Sequence, residues 1–80
     1  MKYVYVLQSI NHAEQHYVGL TADLRGRLDD HNAGKSPHTS KYMPWRFLVA
    51  IRLEDDTRAA VFERYLKTGS GRAFIKRHFL

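Results

Sequence analysis

Eighty residues, 44% apolar and 26% charged, make one small domain with a single core and no room for a second module. The chain has no cysteine, which excludes a disulfide framework, an iron–sulfur cluster, a thiolate zinc site and a thiol nucleophile; any metal must sit on oxygen or imidazole. Thirteen Lys and Arg against eight Asp and Glu give a net charge of +5 and a pI near 9.8, which favours anionic partners.

In chain order, Tyr3-Val4-Tyr5-Val6-Leu7-Gln8 is β-branched and aromatic, which predicts a strand covered on both faces. Ser9 to Glu14 is polar enough to turn, and Gln15 to Leu20 predicts a second strand, giving an antiparallel hairpin. Thr21-Ala22-Asp23 carries a capping signal for a helix over Asp23 to Asn32, with Leu24 and Leu28 at i, i+4 spacing and Gly34 as the stop. Residues 35–45, which include Pro37 and Pro44, predict a loop, and Trp45 to Leu53 a third strand. Glu54-Asp55-Asp56 turns the chain. Thr57 is the expected cap of a second helix reaching Lys67, and Ser70 to Phe79 predicts a third, with Phe74 and Phe79 inward. The order is ββαβαα: an α/β domain on a three-stranded sheet, mixed or antiparallel, flanked by three helices.

The cations are unevenly placed. Between Asp30 and Glu54 there is no acid, only Lys35, Lys41, Arg46 and Arg52; after Glu63 come Arg64, Lys67, Arg72, Lys76 and Arg77, again with no acid. No apolar run approaches the roughly 18 to 20 residues of a bilayer span, and no cleavage site follows the first strand, so a cytoplasmic location without membrane contact is expected.

Three side chains stand in the wrong sectors of their helices. At about 100° per residue, Arg27 and His31 border the apolar stripe of Leu24 and Leu28, while Glu63 falls inside the arc of Ala59, Phe62 and Leu66 that should face the core. A lone buried charge is costly unless paired, hydrogen-bonded or bound to a cation. The plain alternatives are an edge ion pair of Glu63 with Lys67, a solvated Arg27 paired with Asp23 or Asp30, and a helix-end His31 on the last carbonyls. Tyr3, Tyr5 and Tyr17 are equally good as strand filler.

Two tempting motifs carry little. His12-Ala13-Glu14-Gln15-His16 has two imidazoles four apart, but in a hairpin those positions do not stack as they do on a helix. Gly69-Ser70-Gly71-Arg72 follows a helix rather than a strand and lacks the lysine and hydroxyl of a phosphate-binding loop, so a helix stop and N-cap is the better reading.

Taken in order, Tyr3-Val4-Tyr5, Tyr17-Val18-Gly19, then Leu20, Thr21, Leu24, Arg27, His31-Asn32 and Gly34, and finally Glu63 on the next helix, resemble the GIY-YIG nuclease family over nearly the whole chain. The tail Leu66-Lys67-Thr68-Gly69-Ser70-Gly71-Arg72 is similar to the small stand-alone group of that family, which is related to the N-terminal domain of the nucleotide-excision repair nuclease.

The resemblance implies a divalent-metal-dependent DNA endonuclease, with DNA repair as a setting. Tyr5 and Tyr17 match the motif tyrosines, Gly19 the motif glycine, Arg27 the helix arginine, His31 a position filled by histidine or tyrosine, and Glu63 the metal-binding carboxylate. The chemistry is coherent. One carboxylate suffices for a Mg²⁺ or Mn²⁺ ion that keeps most of its waters, and a planar guanidinium meets charge building on a phosphodiester. A tyrosine hydroxyl, with an ordinary pKa near 10, needs a neighbouring metal or cation to act as base; Tyr17 is the first choice, Tyr5 the second, with His31 assisting. Gly19, Lys35, Lys41, Lys67 and Arg72 are the expected nucleic-acid contacts. Phosphate contact without an appended recognition domain implies structure-selective or nonspecific cutting, with any targeting left to a protein partner.

Two departures from the repair nucleases define the alternative. Leu20 stands where they carry lysine, and Phe74-Ile75-Lys76 where they place a late asparagine. The same fold would then serve as a catalytically silent nucleic-acid-binding module. An adaptor that docks an acidic protein through the basic C-terminal helix is a third reading.

Overall fold

The computed structural model describes residues 1–80. Strand β1 (Lys2–Ser9) lies between β2 (His16–Thr21) and β3 (Trp45–Leu53) and pairs antiparallel with both. A central strand must bury both of its faces, and Val4, Tyr5, Val6 and Leu7 are each no more than 1% exposed. The sheet is wholly antiparallel, which decides between the two pairings left open by the sequence. Helices α1 (Leu24–Asn32), α2 (Asp56–Leu66) and α3 (Gly69–Phe79) complete the order ββαβαα. The loop expected at residues 35–45 contains one short 3₁₀ turn, Ser40–Tyr42.

Side-chain alternation along β1 sorts the core into two. Val4 and Val6 pack with Ala59, Leu66 and Ile75 beneath α2 and α3. Tyr5 and Leu7 pack on the other face with Trp45, joined by Leu24 and Leu28 of α1 and by Tyr17, Tyr42 and Phe47. Helices α1 and α2 therefore cover opposite faces of the sheet. Residues from both can meet only around an edge. The β1–β3 register slips between Val6 and Leu7, where Val49 and Phe47 are their partners and Leu48 is the extra residue of a bulge.

The helix ends are set by side-chain caps. Asp23 accepts from the Gly26 amide at 3.1 Å, and Thr21 Oγ1 accepts from the Asp23 amide at 3.0 Å. The second helix begins one residue before Thr57: Asp55 caps it, accepting from the Thr57 and Arg58 amides at 2.8 and 3.2 Å, because a carboxylate offers the freed amides an anionic acceptor. Thr68 caps α3 by accepting from the Gly71 amide at 3.1 Å. A Cβ on Gly71 would lie 1.9 Å from the Tyr65 carbonyl oxygen and 2.4 Å from Leu66 Cα. The Gly-Ser-Gly stretch thus allows α3 to start hard against the last turn of α2, as the stop-and-cap reading requires.

Candidate active site

The site begins with a missing side chain. Tyr5 and Gly19 are register partners on β1 and β2, so their side-chain positions share one face. The Tyr5 ring lies across the glycine: a Cβ there would come 2.3 Å from the Tyr5 hydroxyl and 2.4 Å from its ring carbon. Gly19 is itself buried. It lies under Tyr5 rather than on an open surface.

From there the Tyr5 hydroxyl reaches His31 Nε2, 3.0 Å away, on the last turn of α1. His31 is fully buried, and its Nδ1 lies 2.7 Å from Thr39 Oγ1. Thr39 Oγ1 also reaches the Ser36 carbonyl, which can only accept, at 3.5 Å. That directs the threonine proton to Ser36 and leaves a lone pair for His31 Nδ1–H. Nε2 is then an acceptor, and Tyr5 donates to it. Burial, with Arg27 adding to it, lowers the His31 pKa and keeps the ring neutral. The plain reading of His31 as an imidazole on the helix-end carbonyls gives way to a buried link between two hydroxyls.

Arg27, one turn earlier on α1, stands beside the oxygens of Tyr5 and Tyr17; hydrogen bonding to Tyr5 is the largest of the effects that raise its pKa. An arginine only donates, so the charge of Arg27 acts on the Tyr5 oxygen while the Tyr5 proton points to His31. Burial pushes the Tyr5 pKa up, partly opposed by Arg27. Tyr17 packs against His31 with ring centroids 4.9 Å apart and against Tyr5 at 6.4 Å. Unlike Tyr5, it is only half-buried. The Arg27 pairing with Asp30 is also present but loose, at 3.9 Å.

Glu63 arrives from the opposite face. Its side chain is 15% exposed, and its Oε2 lies 2.5 Å from Lys67 Nζ. The pair foreseen as an edge contact therefore exists, yet the carboxylate is turned inward. Its negative charge reaches Tyr5 and contributes to raising the Tyr5 pKa. Tyr5, Tyr17, Arg27 and His31 thus act on one another at close range, and the charge of Glu63 on α2 is felt at Tyr5. Compared with known protein families, residues 1–77 match the GIY-YIG catalytic domain.

The chain belongs to the GIY-YIG family. Membership carries nuclease-type hydrolysis of nucleic acid as the general function. No curated protein and no solved structure matches the chain in the corresponding comparisons.

Within this GIY-YIG domain the expected nucleic-acid residues divide. Lys67 and Arg72 line one cavity beside β2. Lys35 is tied to Asp30 at 3.6 Å, so Asp30 lies between Lys35 and Arg27. Lys41 stands over the ring of Tyr42, 5.5 Å from its centroid. Sequence reasoning missed Thr39, which sits in a stretch read only as loop. It is fully buried, its hydroxyl meets His31, and its carbonyl accepts from Trp45 Nε1 at 2.8 Å. Asn32 fixes the same corner, bonding the Trp45 carbonyl and amide at 3.0 and 2.6 Å. A lone threonine in a polar loop carries no local signal for such a role.

The donor set suits a hard cation. No three His, Cys, Asp or Glu side chains converge, so a cation needing a full protein cage has no place. Glu63 offers one sheltered carboxylate, and Lys67 shows that a positive charge can reach it. A single carboxylate fits a divalent ion that retains most of its waters. No helix is long and apolar enough to cross a membrane.

Proposed function

We propose that this GIY-YIG domain is a Mg²⁺- or Mn²⁺-dependent DNA endonuclease that hydrolyses phosphodiester bonds by water attack, cutting in a structure-selective or nonspecific manner. The observation that carries the reading is the cluster of Tyr5, Tyr17, Arg27 and His31, polar groups where an unspecialised fold would put apolar ones, with the charge of the sheltered Glu63 felt at Tyr5.

Each residue has one task. Glu63 would hold the hydrated cation, which when bound supplies Lewis-acid stabilisation of the phosphate and a more acidic water. Arg27 meets the nonbridging oxygens, where negative charge grows as water adds to phosphorus, with a fork that lysine lacks. Tyr17 is accessible enough to meet the attacking water; as the phenolate, favoured by the charge of Arg27 and first giving its proton to solvent, it would take the water's proton and become the neutral phenol. Tyr5 is fully covered and cannot touch bulk water. Its task is to orient Arg27, with its own hydroxyl fixed by a hydrogen bond to neutral His31. Loss of Arg27 or Glu63 lowers the rate of the chemical step more than DNA affinity.

The test is nicking of supercoiled plasmid with Mg²⁺ or Mn²⁺, comparing the parent with Arg27→Ala and Glu63→Gln. Loss of at least about a hundredfold in each variant is expected, in line with removal of a transition-state donor. Equal rates would sink the assignment. The silent DNA-binding module draws its support from Lys67, which occupies the carboxylate a metal would need. It predicts salt-sensitive binding with no metal-dependent product.

A further inference from the structure

A second feature lies just around the β2 edge from the tyrosine cluster. A cavity of about 530 Å³ opens between the start of β2 and helix α3, and no step of the proposed reaction uses it. Its apolar wall is Val18, Leu66 and Ile75, and three cations, Lys67, Arg72 and Lys76, border it. Glu14 is the acidic side chain on its border, so cations prevail. His16 also lines it, and the Nε2 of that ring is shielded from solvent with no hydrogen-bond partner. An unpaired buried ring nitrogen beside an apolar wall and three cations is costly by itself and becomes useful when a ligand supplies the partner.

We propose that this cavity receives one unstacked nucleotide of the DNA strand, next to the phosphodiester that is cut. The three cations take its phosphate, the apolar wall takes a face of its base, and His16 Nε2 bonds an edge or sugar atom. Two residues join the cavity to the reaction centre. Tyr17 lines the cavity and packs against His31, while Lys67 lines the cavity and holds Glu63. A strand whose phosphate lies at Arg27 and Glu63 therefore runs on past Tyr17 into the pocket. The Cα frame measures only 31 × 26 × 17 Å, so a duplex cannot enter a hollow within it, whereas a single nucleotide can. A substrate with an unpaired nucleotide beside the cut fills the pocket directly; a matched duplex must first unstack one. The consequence for cutting rests on the proposed nuclease function. The binding itself does not.

The experiment uses the intact protein in EDTA, with NMR as readout and three probes: a short oligothymidylate, a matched duplex of the same length and dTMP. The oligothymidylate is expected to move the His16 ring and the Ile75 and Lys76 signals, with at least tenfold tighter binding than the duplex. Arg72→Ala with Lys76→Ala, both at exposed positions, should reduce that affinity at least tenfold while circular dichroism stays unchanged. With Mg²⁺, the parent should cut a junction carrying an unpaired nucleotide faster than a matched duplex, and Lys76→Ala should narrow that ratio. Shifts confined to the Tyr5 and Arg27 region, with His16 unmoved, overturn the proposal. So does dTMP that binds as tightly as the oligonucleotide, since the pocket would then serve free nucleotides. A protein that never cuts but shows the His16 shifts loses its proposed function and keeps its nucleotide pocket; one that cuts with His16 silent does the reverse.

Discussion

His31 and Thr39, eight positions apart in the chain, meet at 2.7 Å inside the protein, and that contact decides which nitrogen of His31 faces Tyr5. With Nδ1–H given to Thr39, Nε2 is free to accept the hydrogen bond of the tyrosine hydroxyl. Thr39 acts through His31, so it is a positioning residue. Thr39→Val keeps the shape and removes the acceptor. It is expected to lower kcat at unchanged KM and to change the pH profile, while Thr39→Ser restores both. Stability should fall by about 1–3 kcal/mol, the cost of an orphaned buried donor. Steady-state nicking rates over a pH series, with thermal melts, check the prediction. An unaltered pH profile in the valine variant would mean that Thr39 does not position His31 for the reaction.

Gly19→Ala tests the other support of Tyr5. The new methyl would overlap the Tyr5 ring, so either the ring or β2 must move. A loss of about 1–3 kcal/mol is expected from overpacking, together with loss of nicking, because the hydroxyl leaves His31 and Arg27. In a Tyr5→Leu background the ring is gone, and the alanine penalty should shrink toward zero in a double-mutant cycle measured by urea denaturation. Additive penalties would mean that glycine serves β2 for a reason unrelated to Tyr5.

The element order and the two-sided burial of β1 were legible in the sequence because both rest on local pattern. Apolar residues run without alternation in a central strand, and caps and stops lie within a few residues of the ends they set. Arg27, His31 and Glu63 were legible as anomalies, since a polar residue in an apolar sector is visible without a structure. Their environments were not. The sequence offered Glu63 an ion pair with Lys67 as one reading, and the fold shows that pair, with the carboxylate's charge still felt at Tyr5. Helix periodicity fixes the direction of a side chain about its own axis and says nothing about which face of the sheet that helix covers. The placement of α1 and α2 on opposite faces follows from chain crossings that only tertiary structure displays.

Lys67 offers a direct view of the carboxylate it holds. With the ammonium 2.5 Å from Glu63, any divalent ion must compete with a tethered monovalent charge. Lys67→Met keeps the apolar stem and removes the competitor. Tighter Mn²⁺ binding is expected, by about tenfold, which corresponds to roughly 1.4 kcal/mol. Glu63→Gln should abolish the binding, and electron paramagnetic resonance titration of free Mn²⁺ reads both. If Lys67→Met binds Mn²⁺ no better than the parent, the two cations do not share the carboxylate.

Acid should weaken this fold before most carboxylates titrate. Burial lowers the pKa values of both His31 and His16 from the ordinary 6.5, Arg27 adding to the effect at His31 and Glu14 opposing it at His16. A lowered pKa means that, as pH falls through 6.5, the unfolded chain takes up protons that the native state refuses. Stability is therefore complete above that value and is lost as pH falls toward the native pKa, with a slope that approaches about 1.4 kcal/mol per pH unit for each histidine. Since about 1 kcal/mol shifts the Tm of a domain this size by roughly 4–8 °C, melts between pH 7.5 and pH 5 resolve the effect. His16→Gln should remove part of the slope and His31→Gln the remainder, even where the latter also lowers the Tm at neutral pH. Nicking should fall over the same range in the parent, because protonated His31 can no longer accept the Tyr5 hydrogen bond and adds a second cation beside Arg27. A Tm that is flat down to pH 5 would show that both rings remain accessible enough to charge in the native state.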